Sequence, residues 1–185
     1  MSAEPTRNAW QPDLGSSGSQ PMTAMTTMQV GQRSEALFQQ GFCCAESVLQ
    51  AIAESRGIKS DLIPRIATGL CGGIAATGGI CGAVSGGVLA INAVAGRSRA
   101  GQPLEPHFRL VRTFLRQFET RFGTTNCERL IGCRLDTPEG RQFFKDNKLR
   151  ETKCLMFTRE AAEMASGVLE HEAQHHGVEA RGQPE

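Results

Sequence analysis

The chain has no tyrosine, a single tryptophan and an aromatic content of 5%. Strands favour β-branched and aromatic residues in alternating runs. Such runs are missing, so an all-β or mixed fold is not expected. Charge of one sign is not in excess either. Lys+Arg number 20 against Asp+Glu 19, for a formal charge of +1, and the basic residues are scattered. That balance leaves no electrostatic footprint for nucleic acid or an anionic membrane, and points to a small molecule, an electron or a protein as partner. No long hydrophobic run is present. Residues 66–96 carry no charge and include the spacings Gly78/Gly82 and Gly82/Gly86. Most of that stretch is Gly, Ala, Ser and Thr, with Asn92 inside it, so its insertion into a bilayer would gain little and no membrane span is expected. The start of the chain lacks the basic segment and apolar run of about 7–15 residues that mark a secretory signal.

Cysteine is what the chain does have, with seven residues. Without a secretory signal these thiols are expected in a reducing cytoplasm, where cysteines serve metal binding, catalysis or redox sensing more than disulfide scaffolding. The odd number leaves at least one thiol unpaired in any monomer. No pair forms the CxxCH needed to attach a c-type haem, so haem is not expected.

At 185 residues the chain suits one domain. Residues 1–30, which include Trp10, lack periodicity and read as a disordered tail. The folded unit is expected over 31–170, followed by a frayed polar tail over 171–185. Within the unit the apolar spacing is helical, which predicts an all-α fold of about six or seven helices. Helices are expected over 34–40, 44–56, 81–94, 104–122, 139–147 and 154–170, with a short element over 61–70 and a brief helix around Leu130 and Ile131. Gly41, Gly57 and Gly123 supply stops, and Thr137-Pro138-Glu139 a start. Over 104–122 the residues Phe108, Val111, Leu115, Phe118 and Phe122 form an apolar stripe that reads as core packing. The Gly and Ala residues of 81–94 suit close approach of another helix, a cofactor, or, through Gly82, Gly86 and Ala90, a second copy of the chain.

Set against this helix map, Cys44, Cys81, Cys127 and Cys154 each fall at or near a helix start. Free N–H groups and the helix dipole there favour thiolate, which is both nucleophile and metal ligand. Their separations of 37, 46 and 27 residues differ from the short CxxC spacings of zinc ribbons and bacterial ferredoxins. A buried cysteine is also simply a small hydrophobe. Placement alone therefore leaves ligand, nucleophile and packing roles open. Gly72-Gly73 and Gly78-Gly79 read either as backbone that brings N–H groups close to sulfur or as plain turns.

The segments Gly41-Phe42-Cys43-Cys44-Ala45-Glu46-Ser47-Val48-Leu49, Gly69-Leu70-Cys71-Gly72-Gly73-Ile74, Cys81-Gly82-Ala83-Val84-Ser85-Gly86 and Cys127-Glu128-Arg129-Leu130-Ile131-Gly132, followed by Cys154, resemble the C_GCAxxG_C_C family. The resemblance covers about 36–169. It implies a helical redox domain whose four motif cysteines align with Cys44, Cys81, Cys127 and Cys154. A similar domain in split-Soret cytochromes c is associated with an iron–sulfur centre and a dimer, so the resemblance implies a cluster on these four cysteines and a homodimer. Cys43, Cys71 and Cys133 depart from the family pattern and read as packing or spare thiols. Neighbouring positions on a helix face different ways, so at most one of Cys43 and Cys44 is expected at the site, and the motif selects Cys44.

His171-Glu172-Ala173-Gln174-His175 matches HExxH. Only ten residues follow it, too few for a third ligand and a cleft, so it reads as a solvated helix end whose His171, His175 and His176 collect metal adventitiously. Three functions remain in view. They are an iron–sulfur electron-transfer or redox-sensing protein with a redox partner protein or small-molecule reductant, a metal-free thiol–disulfide oxidoreductase or peroxide reductase on the same cysteines, and a structural zinc module.

Overall fold

The computed structural model describes residues 25–179, with side chains as far as Gln174. Most of the expected N-terminal tail and the end of the C-terminal one lie outside the described residues. Within them the fold is all-α: α1 Thr27–Gln39, α2 Cys44–Ser55, a 3₁₀ helix Arg65–Leu70, α3 Gly82–Ala95, α4 Glu105–Phe122, α5 Cys127–Ile131, α6 Pro138–Asp146 and α7 Leu155–Glu179. A π-helical turn, Arg150–Cys154, leads directly into α7. No helix is long and apolar enough to cross a membrane among the described residues.

The first helix starts seven residues before the position expected from apolar spacing. Thr26 and Gln29 form a capping box, in which Gln29 Oε1 accepts from the Thr26 N–H at 2.8 Å and Thr26 Oγ1 accepts from the Gln29 N–H at 3.3 Å. Val30, expected in the tail, is fully buried. At the other end the helix continues to Glu179, beyond the expected end at residue 170. Glu172 of the HExxH match is paired with Arg109 at 2.9 Å; the side chains of His175 and His176 lie outside the described ones.

α7 is the hub, packing on α1, α2, α3 and α4. Its inward face is small at Ala161, Ala162 and Ala165, all fully buried, which lets its neighbours approach closely. α4 begins and ends as expected, with Gly123 at φ 79° closing it. Its buried residues are Leu110, Phe114 and Phe118; of the expected stripe Phe118 is buried, and Val111, Leu115 and Phe122 pack partly buried against the core. Phe108 alone of the expected stripe is exposed, at 44%, because the face that meets α3 and α7 is centred on the i, i+4 row of Leu110, Phe114 and Phe118. Phe118, Phe122 and Phe157 form an aromatic group with centroids 4.7–6.4 Å apart, in which Phe157 meets the other two edge-to-face and Phe118 and Phe122 are tilted.

The small residues of α3 are used within the chain. A Cβ on Gly86 would lie 2.6 Å from the Ala45 carbonyl oxygen of α2, and one on Gly87 would lie 2.4 Å from the Phe114 ring. Ala90 is 1% exposed. The face that suggested a dimer is therefore occupied by α2 and α4 of the same molecule.

Candidate functional site

At one end of the bundle, Cys43, Cys44, Cys71, Cys81, Cys127 and Cys154 line a single cavity of about 150 Å³, with Phe38, Ile131, Leu135, Phe144 and Phe157 as its apolar wall. Arg150 is the one charged residue in that lining. Cys133 is outside it. All seven thiols are free.

Each cysteine reaches the cavity from a helix boundary. Cys44 is the first residue of α2, Cys81 is the N-cap of α3, and Cys127 is the first residue of α5. The N–H groups of Ala83 and Val84, at the start of α3, favour the Cys81 thiolate. Cys154 departs from expectation. It closes the π turn rather than opening a helix, so helical backbone continues on both sides and no free helix start serves it. π turns recur at functional sites because the extra residue re-aims a side chain.

Cys43 also departs. It is the N-cap of α2, with extended backbone at φ −79° and ψ 166°, so the argument that consecutive helical residues diverge does not apply, and both Cys43 and Cys44 reach the cavity. Its backbone N–H donates to Glu46 Oε2 at 2.8 Å, while Glu46 Oε1 accepts from the Thr68 hydroxyl at 2.6 Å. Cys71 follows the 3₁₀ helix. The ligand atoms of Cys43, Glu46 and Cys71 lie within 4.8 Å of one another. Cys71 is in contact with both Cys43 and Cys44, and Cys81 with Cys127. The sequence offered one signal for Cys43, the Glu46 three residues on that completes its cap, and for Cys71 only its place among the glycines.

The segment after Cys71 is the least regular backbone of the protein. Gly72, Gly73, Ile74, Ala75 and Ala76 run consecutively at φ 49–73°, a left-handed turn that non-glycine residues adopt at a cost of roughly 1–2 kcal/mol each. Hydrogen bonds hold it, including Ala75 N–H to the Gly69 carbonyl and Gly79 N–H to the Gly73 carbonyl, both 2.9 Å. The glycine N–H groups at 78 and 79 thus donate to carbonyls rather than to sulfur. The loop is tied to α5 where Cys127 N–H donates to the Gly79 carbonyl and Asn126 Nδ2 to the Gly78 carbonyl, each at 2.7 Å. Gly73 sits against Cys127, whose Cβ would be 2.7 Å from a Cβ added there.

Thiols this close resist losing more than one proton. Contact with Cys127, then burial, holds the Cys81 thiol well above its ordinary range. Cys71, followed by burial, does the same to Cys43. For Cys71 the neighbouring Cys43 favours the thiolate, but contact with Cys44 and burial outweigh it and push the thiol up to about 12. Burial, then the charge of Cys81, pushes Cys154 to about 12. Arg150 opposes this at Cys43 and Cys154. It is fixed by donating to the carbonyls of Phe38 and Phe42 at 2.7 and 3.1 Å and by lying 3.8 Å over the Phe38 ring. A crowd of thiols that repel each other as anions is the donor set that a cation or cluster stabilises in place of protons.

Residues 42–168 match the family model described as "putative redox-active protein (C_GCAxxG_C_C)". The chain belongs to the C_GCAxxG_C_C family. The match spans every helix from α2 to most of α7 and all seven cysteines. No curated protein and no solved structure matches the chain.

Proposed function

We propose that Cys44, Cys81, Cys127 and Cys154 together hold an iron–sulfur cluster and that the protein transfers electrons or senses redox state in the cytoplasm. The observation that carries this reading is that four cysteines 27 to 46 residues apart in sequence all line one cavity. The donor set suits such a group: sulfur ligands from separate chain segments, a largely apolar wall, and N–H groups aimed at Cys81. When bound, the cluster supplies one-electron chemistry.

The protein's own residues provide the setting. Phe38, Ile131 and Phe157 keep water from the sulfurs, and the Ala83 and Val84 N–H groups disperse charge on Cys81. Arg150 offsets part of the negative charge of four thiolates, favouring the reduced state. The experiment is anaerobic purification followed by a visible spectrum and iron and sulfide analysis. Visible absorption with iron and sulfide present, and its loss on changing any of the four cysteines to Ser, is the expected result. A colourless protein retaining zinc, or one that turns over a peroxide or disulfide without metal, would replace the reading with one of its rivals. The Cys81–Cys127 contact favours the metal-free dithiol as the second choice. A homodimer is proposed from the family resemblance alone, and light scattering of the holoprotein tests it.

A further inference from the structure

Two cysteines at the cavity have no part in the four-cysteine set, and they are in contact with each other. We propose that Cys43 and Cys71 are a thiol–disulfide exchange pair that reacts with low-molecular-weight disulfides. The proposal goes beyond the cluster reading and does not depend on what the other four cysteines hold.

The two thiols are placed for it. Their sulfurs lie within 4.8 Å, short enough for small side-chain rotations to bring them to bonding distance. Both are partly exposed, whereas Cys81 and Cys127, which are also in contact, are each 5% exposed. Neither lies inside a helix: Cys43 caps α2 in extended conformation, and Cys71 is extended at φ −73° and ψ 149° before the glycines. Side-chain rotation at both is therefore free of the limits a helical turn imposes. Cys44 also touches Cys71, but unlike Cys43 it lies within a helix, as the first residue of α2, and its sulfur is packed where a Cβ on Gly82 would lie 2.3 Å from it.

Either thiol can open the exchange, with the same balance; in one order Cys71 is the attacking residue. It displaces one sulfur of the small disulfide, forming a mixed disulfide and releasing the first small thiol. Cys43 then gives up its proton to solvent and attacks the Cys71 sulfur, forming the Cys43–Cys71 bond and releasing the second small thiol. Two protein thiols are oxidised, one small disulfide is reduced to two thiols, and atoms and electrons balance. The pairing is read at equilibrium, where it does not depend on the rate of exchange.

The full chain as isolated, with whatever metal or cluster it carries, is equilibrated anaerobically in reduced and oxidised glutathione. It is then quenched by alkylation and mapped by mass spectrometry without reduction. The expected result is a Cys43–Cys71 linked peptide, assigned against Cys44 by fragmentation, with loss of two free thiols at the oxidising end. Cys43→Ser should abolish the link and leave a glutathione adduct on Cys71 instead, at least tenfold above the native protein. Cys43 and Cys71 both remaining free, or Cys71 pairing with Cys44, would overturn the proposal. Failure of the cluster reading is separate, because it appears as missing iron and sulfide in the starting protein whether or not the link forms.

Discussion

The two ends of this molecule are built by different rules. The bundle of α1, α2, α4 and α7 is held by regular helices and fully buried side chains such as Leu37, Leu49, Ile52, Phe114 and Phe118. The cysteine end consists of helix boundaries, a five-residue helix, a π turn and a left-handed loop. Only the second carries consecutive residues in the left-handed region. The bundle carries stability, and the cysteine end spends some of it on holding sulfur atoms around one space.

The sharpest way to break this contrast is to exchange the effects of the two ends. Phe114→Ala empties the site between α3 and α4 where Gly87 makes room for the ring. It should cost about 3–5 kcal/mol in denaturant unfolding. Cys127→Ser, at the other end, should leave the unfolding free energy of the metal-free protein within about 1–2 kcal/mol of the parent while abolishing bound iron. Equal losses of stability in the two would mean that the ends are one cooperative core.

Next in size is the joint between them. Gly73→Ala puts a Cβ at φ 73°, 2.6 Å from the Gly79 nitrogen and 2.7 Å from the Cys127 Cβ. We expect a loss of about 2–3 kcal/mol, with the loop pushed off α5 and metal content reduced. Thermal unfolding and iron analysis on the same sample check both halves.

One position away the sign reverses. Ile74 is β-branched at φ 61° and 48% exposed, so Ile74→Gly removes left-handed strain and little packing. Stability should rise by about 1 kcal/mol, after allowing for the greater freedom of glycine in the unfolded chain. A fall in melting temperature would show that the loop is unstrained.

The smallest effect belongs to the bundle surface, where Arg33 joins α1 to Glu54 of α2 at 2.6 Å with both side chains 36% exposed. Arg33, and to a lesser extent Gln50, hold the Glu54 carboxyl below its ordinary value near 4.5. A depressed carboxyl stabilises the fold above that value, and the contribution fades as pH falls through the folded-state one. Glu54→Gln should therefore cost no more than about 1 kcal/mol at pH 7, and the difference from the parent should shrink toward pH 3.

The same division governs what could be read from sequence. Helices of the bundle follow apolar period and stops, and α4, with Gly123 behind it, falls within a residue of its expected bounds. Of its expected stripe only Phe108 is exposed, since Phe108 and Leu110 are both apolar and the neighbouring helices decide which one turns inward. The Thr26/Gln29 capping box was legible as a motif but lay in a segment whose composition pointed to disorder. At the cysteine end the four motif positions were legible, and the structure adds Cys43, Cys71 and Arg150 to the same cavity wall. The left-handed turn and the π turn have no sequence period at all. They arise where hydrogen bonds to α5 and packing on α7 override local preference.

The π turn before α7 also bears on descent. A π turn is an α-helix that has accepted one extra residue, and each residue advances a helix by about 100°. Family members whose chain passes through this stretch as plain α-helix should therefore align with a one-residue gap near 150–154. Their cysteine would sit about a quarter-turn round the helix from where Cys154 does.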